Sequence, residues 1–430
     1  MNTIAQVVNS GLCTGCGTCA GVCPSKAIKM RISNGLYLPK MEEGKCTNCG
    51  LCVKSCPGYS VNFGELNSRI FGKQPENILL GNFLECYVGH SNDKDIRYNS
   101  SSGGIVTHLL VFALQKGIID GALLVRMKKD KPLEPEPFIA RTRKEIISAS
   151  KSKYCPVAVN EALELILNED GRFAVVGLPC HIHGIRKAEE LLKELKKRIV
   201  LHIGLMCSHT VSFTGTEFLL EKMHIKKEQV TKLDYRGNGW PGLMSIQTSD
   251  RKNLKIPLIG CWNSYWPIFS CFFFTPLRCI MCSDQTNELA DVSLGDAWFP
   301  ELRHEKSGES VIVIRTRTAK DIVTLLDVEK VISIKAVNPE KVKLSQALNL
   351  QFKKNDLSHR LSILNSLGKE TPKFIPQPTS TGSPMAFLRA FFPYFNVRVS
   401  SSKYFKSLLL YVRFPLFRLY YGVYKFLSSV

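Results

Sequence analysis

Two short stretches concentrate thiols at a spacing that few chemistries use. Residues 11–28 read GLCTGCGTCAGVCPSKAI and residues 44–61 read GKCTNCGLCVKSCPGYSV. Each carries the run Cys-x-x-Cys-x-x-Cys-x-x-x-Cys-Pro, first at Cys13, Cys16, Cys19 and Cys23, then 33 residues later at Cys46, Cys49, Cys52 and Cys56. Three thiolates so close together wrap one face of a cubic iron–sulfur cluster, and the fourth, next to the proline break, points away from it. Gly15, Gly17 and Gly50 suit the tight turns this requires, where backbone N–H groups can donate to sulfide. Paired Cys-x-x-Cys zinc sites have no need of two copies of a four-cysteine run. A disulfide framework needs an oxidising compartment, and residues 1–12 have neither the basic start nor the apolar core of an export signal.

The double run resembles that of bacterial two-cluster ferredoxins, in which the fourth cysteine of each run ligates the other cluster. This implies one 4Fe-4S cluster on Cys13, Cys16, Cys19 and Cys56, and a second on Cys46, Cys49, Cys52 and Cys23. A module of some 60 residues is too short for a large core, so two clusters would staple it.

The 430 residues contain 16 cysteines, 44% hydrophobic and 22% charged residues, and a formal net charge of +20. The length suggests two to three domains, and the thiol count suggests metal ligation in a reducing, cytoplasmic compartment. The charge does not point to nucleic acid. No Asp or Glu follows Glu370, whereas Lys373, Arg389, Arg398, Lys403, Lys406, Arg413, Arg418 and Lys425 do, and much of the remaining excess lies on helix surfaces such as LLKELKKR at 191–198.

The elements that must position these groups are read from hydrophobic periodicity. Residues 1–62 form the ferredoxin-type module and 63–82 a connector. From 83 to 350 the texture is that of an α/β domain. Strands are expected over 85–90, 120–127, 172–180, 198–207 and 310–316, and helices over 101–117, 157–171 and 185–197. Near-continuous apolar strands point to a parallel or mixed sheet. Residues 351–384 are expected as a linker region, with a flexible Pro/Ser/Thr-rich stretch over 371–384, and 385–430 as a basic aromatic tail. The fold class is therefore α/β (α+β overall): a small ferredoxin-like domain, a mixed α/β flavin-binding domain, and a basic amphipathic helical tail.

A second set of thiols sits where such sheets gather ligands, at the carboxyl ends of strands. VVGLPC ends in Cys180, HIGLMC ends in Cys207, and RCIMC supplies Cys279 and Cys282. Four cysteines from three segments could close one further cluster. Cys86, Cys261 and Cys271 read as core residues; Cys155 is left unassigned.

The stretches SSSGGIVT (100–107), SKYCP (152–156), GLPCHIHGIRKA (177–188), GLMCS (204–208), YRGNGWPG (235–242) and RCIMCSDQTNELADVSLGDAW (278–298) resemble the coenzyme F-420 hydrogenase/dehydrogenase beta subunit family. The resemblance implies FAD and a 4Fe-4S cluster in one domain, the flavin exchanging a hydride with substrate and single electrons with the clusters. It makes Cys180, Cys207, Cys279 and Cys282 the expected inner ligands. A helix N-terminus favours an anion, so Ser101, Ser102, Gly103 and Gly104 are expected to face the flavin pyrophosphate. Lys153 and Tyr154 are expected as the second contact, and Asp296, with Asp291 nearby, beside the flavin or cluster. The family often has glutamine where His181 stands here. That makes His181, with His183 two residues on, a candidate proton donor.

These readings predict an iron–sulfur flavoprotein oxidoreductase. Electrons would pass from a ferredoxin or other low-potential donor through three clusters and FAD to an organic substrate. The alternatives are an electron-transfer subunit without its own substrate, or an F-420 oxidoreductase. The tail is broken by Pro393 and Pro415 and has no stretch long enough to span a bilayer, so it predicts interfacial helices on an anionic membrane surface, on the inner face of the cell membrane.

Overall fold

The computed structural model describes residues 3–260, 264–379, 384–412 and 414–429. Cys261, part of the expected linker (380–383) and Arg413 lie outside them. The chain is a mixed α/β protein built on one eight-stranded sheet. In spatial order its strands are Ile332–Ala336, Glu85–Ser91, Ser310–Ile314, Val292–Asp296, Ile199–Leu205, Phe173–Gly177, Gly121–Met127 and Pro135–Ala140. The four strands from Val292–Asp296 to Gly121–Met127 run parallel to one another, and antiparallel strands complete both sides.

The central strands are buried on both faces: Phe173, Ala174 and Val175 are fully enclosed, as are Ile203 and Val292. Each Val, Ile or Phe among them contributes about 1.5–3 kcal/mol through burial. Helices Ile105–Gln115 and Arg317–Val328 cover one face. Residues 135–140 escaped the sequence reading because Pro135 and Pro137 argue against a strand; they form an edge strand, where a missing N–H is tolerated. A separate three-stranded antiparallel sheet is formed by Val230–Asp234, Leu243–Thr248 and Asn253–Pro257.

The N-terminal module carries a hairpin, Ile28–Ser33 against Leu36–Met41. Its last strand, Ser60–Asn62, pairs in parallel with Lys373–Ile375. The expected linker is therefore partly structured: besides that strand it contains helix Leu357–Ser366. Likewise, the expected connector opens with helix Phe63–Phe71, capped by the Asn62 side chain. The helix expected over 185–197 is two, Pro179–Glu189 and Lys193–Arg198. Cys86, Cys155 and Cys271 are buried, and every described cysteine is free of a disulfide.

Candidate functional site

The thiols of the N-terminal module fall into two groups. Cys13, Cys16, Cys19 and Cys56 are mutual electrostatic neighbours. Cys52 faces Cys49, Cys23 and Cys46. Cys19 also feels Cys52, so the groups adjoin. Cys49 is exposed whereas Cys16, Cys19 and Cys56 are buried, so the second group faces outward and the first inward.

The thiols expected as the inner set are electrostatically coupled. Phe173–Gly177 runs into Pro179–Glu189, placing Cys180 in the first turn of that helix, not on the strand as the apolar run suggested. Cys207 lies just beyond strand Ile199–Leu205, and its N–H donates to the Gln285 carbonyl at 2.9 Å. Asn287 clasps the two strand ends: its Nδ2 donates to Gly177 O at 2.8 Å and to Leu205 O at 3.2 Å. Cys180 consequently feels Cys207, Cys279 and Cys282, and also Cys16 of the module. The inner set therefore sits next to the module's inward group.

The chemistry of the donors fits iron–sulfur clusters. Burial pushes the Cys13 and Cys207 thiols up to about 12 and raises the Cys180 thiol well above its ordinary value. Such thiols become thiolates through metal binding, which deprotonates them outright. Gly15 N–H donates to Cys13 Sγ at 3.4 Å. Thr14 Oγ1 and Ser283 Oγ, adjacent in sequence to Cys13 and Cys282, are buried with no partner among the described residues. Cluster sulfur would give those hydroxyls one.

Close approach of glycines sets the distance between the module and the large domain. A Cβ on Gly21 would lie 2.0 Å from Asn160 O, and one on Gly184 would lie 2.2 Å from Thr18 Oγ1. Asn160 fastens this contact. Its backbone N donates to Cys16 O at 2.9 Å, and its Nδ2 donates to Thr18 Oγ1 and His181 O, both at 2.8 Å. Lys187 Nζ donates to Cys56 O at 2.7 Å and Ser60 O at 2.6 Å. Arg278 Nε donates to Gly58 O at 3.0 Å. Lys353, nearly fully buried, approaches Cys279 O at 3.4 Å and lowers the pKa of both Cys207 and Cys279 against their burial. The sequence reading assigned none of these four residues. Arg278 and Lys187 do stand inside the motifs quoted for the resemblance, whereas Lys353 fell in the expected linker.

The expected flavin contacts gather around the start of helix Ile105–Gln115. That helix follows Gly104 (φ +79°) without a side-chain cap, leaving first-turn N–H groups for an anion. The flanking side chains are occupied by the protein itself. Ser101 Oγ accepts from Ser152 N at 2.8 Å, and Ser102 Oγ donates to Glu309 O at 2.7 Å. A Cβ on Gly103 would meet Gly89 O at 2.5 Å, so packing alone demands that glycine. Lys153 caps a helix end: its Nζ donates to the carbonyls of Ala149, Ser150 and Lys151, and burial pushes it down to about 8.

Tyr154 stacks on Tyr265, with ring centroids 5.0 Å apart, and its OH accepts from Arg236. Arg236 holds both Asp296 oxygens, at 2.7 and 2.9 Å, and Trp240 Nε1 donates to the same carboxylate at 2.9 Å. Trp240 and Trp298 pack together beside this clamp. Of the expected contacts, the uncapped helix N-terminus keeps backbone N–H groups for an anion, whereas Lys153 does not reach out as a cation.

His181 is a correction to the proton-donor reading. Leu178 N–H donates to its Nδ1 at 3.1 Å, its Nε2 donates to Val157 O at 3.0 Å, and burial pushes it down to about 4. It is a neutral cap with both nitrogens used. His183 instead pairs with Asp284 at 2.8 Å. Asp291 belongs to a buried network with Arg186, His202 and Glu189.

Known proteins bear on this arrangement. The family model described as coenzyme F420 hydrogenase/dehydrogenase, beta subunit N-term matches residues 86–164, and its counterpart for the carboxyl-terminal part of the same family matches 170–340. The chain belongs to this family. A 4Fe-4S dicluster domain matches residues 12–61, so the family domain here carries an iron–sulfur, ferredoxin-like module in front of it. The coenzyme F420 hydrogenase subunit beta of Methanosarcina barkeri is 27% identical over 258 residues, 57% of this chain and 80% of that protein. The coenzyme F420-dependent sulfite reductase of Methanocaldococcus jannaschii is 26% identical over 372 residues, 83% of this chain and 52% of that longer protein. A solved chain from the F420-reducing NiFe hydrogenase complex of M. barkeri shares the fold at a TM-score of 0.53 and 22% identity, covering 69% of this chain and 98% of that one.

Proposed function

We propose that this chain is an electron-relay oxidoreductase subunit with three 4Fe-4S clusters and FAD. What supports it is the electrostatic coupling of Cys180 to Cys207, Cys279 and Cys282 and to Cys16 of the module, with Asn287 drawing the ends of the two strands that precede Cys180 and Cys207 together. Cys23, Cys46, Cys49 and Cys52 form the outward entry for an external ferredoxin or another low-potential donor. Cys13, Cys16, Cys19 and Cys56 come next, and the inner four stand last. When bound, clusters carry single electrons and a flavin handles a hydride, which is why the two recur together.

The chain's own residues set distance and charge. Asn160, Arg278 and Lys187 lock the module to the large domain, and Lys353 offsets thiolate charge at the inner set. The first turn of helix Ile105–Gln115 would hold a flavin phosphate, and the Arg236–Asp296 clamp would shape the wall beside it. The organic substrate is a deazaflavin of the kind named in the relatives, or another hydride acceptor. The names of those relatives also support a second reading, in which the chain serves partner subunits and has no substrate of its own. Its place is the cytoplasm, peripheral on the inner face of the cell membrane.

Anaerobic purification with iron, sulfide and flavin counting tests the core of this. Three clusters predict about twelve irons, with one flavin per chain. About eight irons would remove the inner cluster, and absence of flavin would remove the hydride step. Turnover of F420 by the isolated chain separates the first reading from the second.

A further inference from the structure

The three helices after residue 383 bury one apolar side and leave a second apolar side facing out. Helix Pro384–Ser401 buries Val397 together with polar and small residues. Asn396 Nδ2 donates to Cys271 O at 2.8 Å, Phe274 N donates to Ser400 Oγ at 2.7 Å, and Ala386 and Ala390 are fully buried. The same helix turns Phe387, Phe391 and Phe395 outward. These recur every four residues, so they share one face. Helix Lys403–Tyr411 rests Leu409 and Leu410 on the core and exposes Phe405 and Leu408, the latter 59% accessible. Helix Phe414–Ser429 is tied back by Tyr420 to Asn396 and exposes Leu419 at 68%. A water-facing helix has a polar outer side, not a contiguous apolar one.

Charge says what covers this face. Residues 371–430 contain no acid. Of their cations, Arg389 is neutralised by Asp356 and Lys406 by Glu221, but exposed Arg398, Arg418 and Lys425 make no ion pair among the described residues. A second copy would set these cations against each other. No described helix is long and apolar enough to cross a membrane. The segment also lies beyond residue 340, where the family match ends.

We propose that the outward apolar face of the helices after residue 383 lies in the headgroup layer of an anionic lipid leaflet. The aromatic and leucine side chains enter the acyl boundary, and the unpaired cations meet lipid phosphate. This rests on the peripheral location put forward above and is independent of the redox reading.

The test is flotation of the full-length, anaerobically purified chain with vesicles of phosphatidylcholine alone or mixed with phosphatidylglycerol. The wild type floats with the anionic vesicles, and salt weakens the binding. The double variant Phe391→Glu, Leu408→Glu loses binding roughly tenfold or more, with its iron content unchanged. Wild type that stays unbound overturns both the proposal and the peripheral location. Wild type that floats equally with the double variant overturns this face alone. A concentration-dependent dimer broken by the same double variant assigns the face to a second copy and overturns the lipid reading.

Discussion

Gly184→Ala puts two known effects in opposition at the contact between module and sheet domain. Gly184 lies inside helix Pro179–Glu189. Alanine there would gain about 1 kcal/mol of helix propensity over glycine. Against this, its Cβ would sit 2.2 Å from Thr18 Oγ1 and 3.1 Å from Asn160 Nδ2. Thr18 cannot easily yield, because it is fully buried and its hydroxyl accepts from Asn160 at 2.8 Å. Overpacking of this kind costs about 1–3 kcal/mol, occasionally more, and an overlap this deep belongs at the upper end.

The net expectation is destabilisation by about 1–2 kcal/mol. At roughly 2–4 °C per kcal/mol for a domain of 150–250 residues, the melting midpoint of the anaerobic holoprotein falls by several degrees. Thr18→Ala removes the obstructing hydroxyl, so Gly184→Ala becomes close to neutral in that background. The resulting coupling lies in the range of about 0.5–3 kcal/mol expected for touching residues. If Gly184→Ala were harmless in the wild-type background, or equally harmful with and without the Thr18 hydroxyl, the described contact between the two parts would be wrong.

Cys279→Ser should lower the iron content by about a third, one cluster in three; undiminished iron would remove Cys279 from the ligand set. Lys353→Met should lower the midpoint potential of one cluster, because a buried cation stabilises the more negative reduced state. Redox titration followed by electron paramagnetic resonance reads this, and an unmoved potential would show that Lys353 does not act on a cluster. The Arg186–Glu189–His202–Asp291 network predicts a stability plateau. Burial and Arg186 push His202 down, but Glu189 and Asp291 outweigh them and its pKa ends raised; both carboxyls end lowered despite burial. The histidine contribution is full below about pH 6.5 and is lost as pH rises through the raised value. The carboxylate contributions are present above about pH 4 and are lost as pH falls. His202→Gln should flatten the alkaline side of a melting-temperature profile, and an unchanged slope there would count against the network.

Local spacing made the N-terminal thiols legible, because three ligands of each expected set lie within seven residues of one another. Apolar runs marked the central strands for the same reason: burial on both faces leaves a continuous trace in the chain. What the sequence could not show depends on distant partners. Lys353 looked like linker because nothing nearby reveals that it ends beside Cys279, 74 residues earlier. Lys153 is a different case: its three carbonyl acceptors, Ala149, Ser150 and Lys151, are close in the chain, but only the chain reversal after the helix over 143–148 folds its amine back onto them. His181 looked reactive until both nitrogens were seen to be spoken for. The tail is helical as expected, but its breaks are not at the prolines: Pro393 lies inside helix Pro384–Ser401, and the helices part at Ser402 and after Tyr411. The docking of Asn396 and Ser400, which decides the outward face, is again a long-range fact.

Strand Lys373–Ile375 lies more than 300 residues downstream of its partner Ser60–Asn62. The dicluster module is thus gripped at its exit by backbone hydrogen bonds as well as by Asn160, Arg278 and Lys187. It cannot swing out to collect charge like a tethered arm on a carrier protein. On the electron-relay proposal, a redox donor therefore comes to a fixed point near the exposed Cys49 rather than meeting a mobile one.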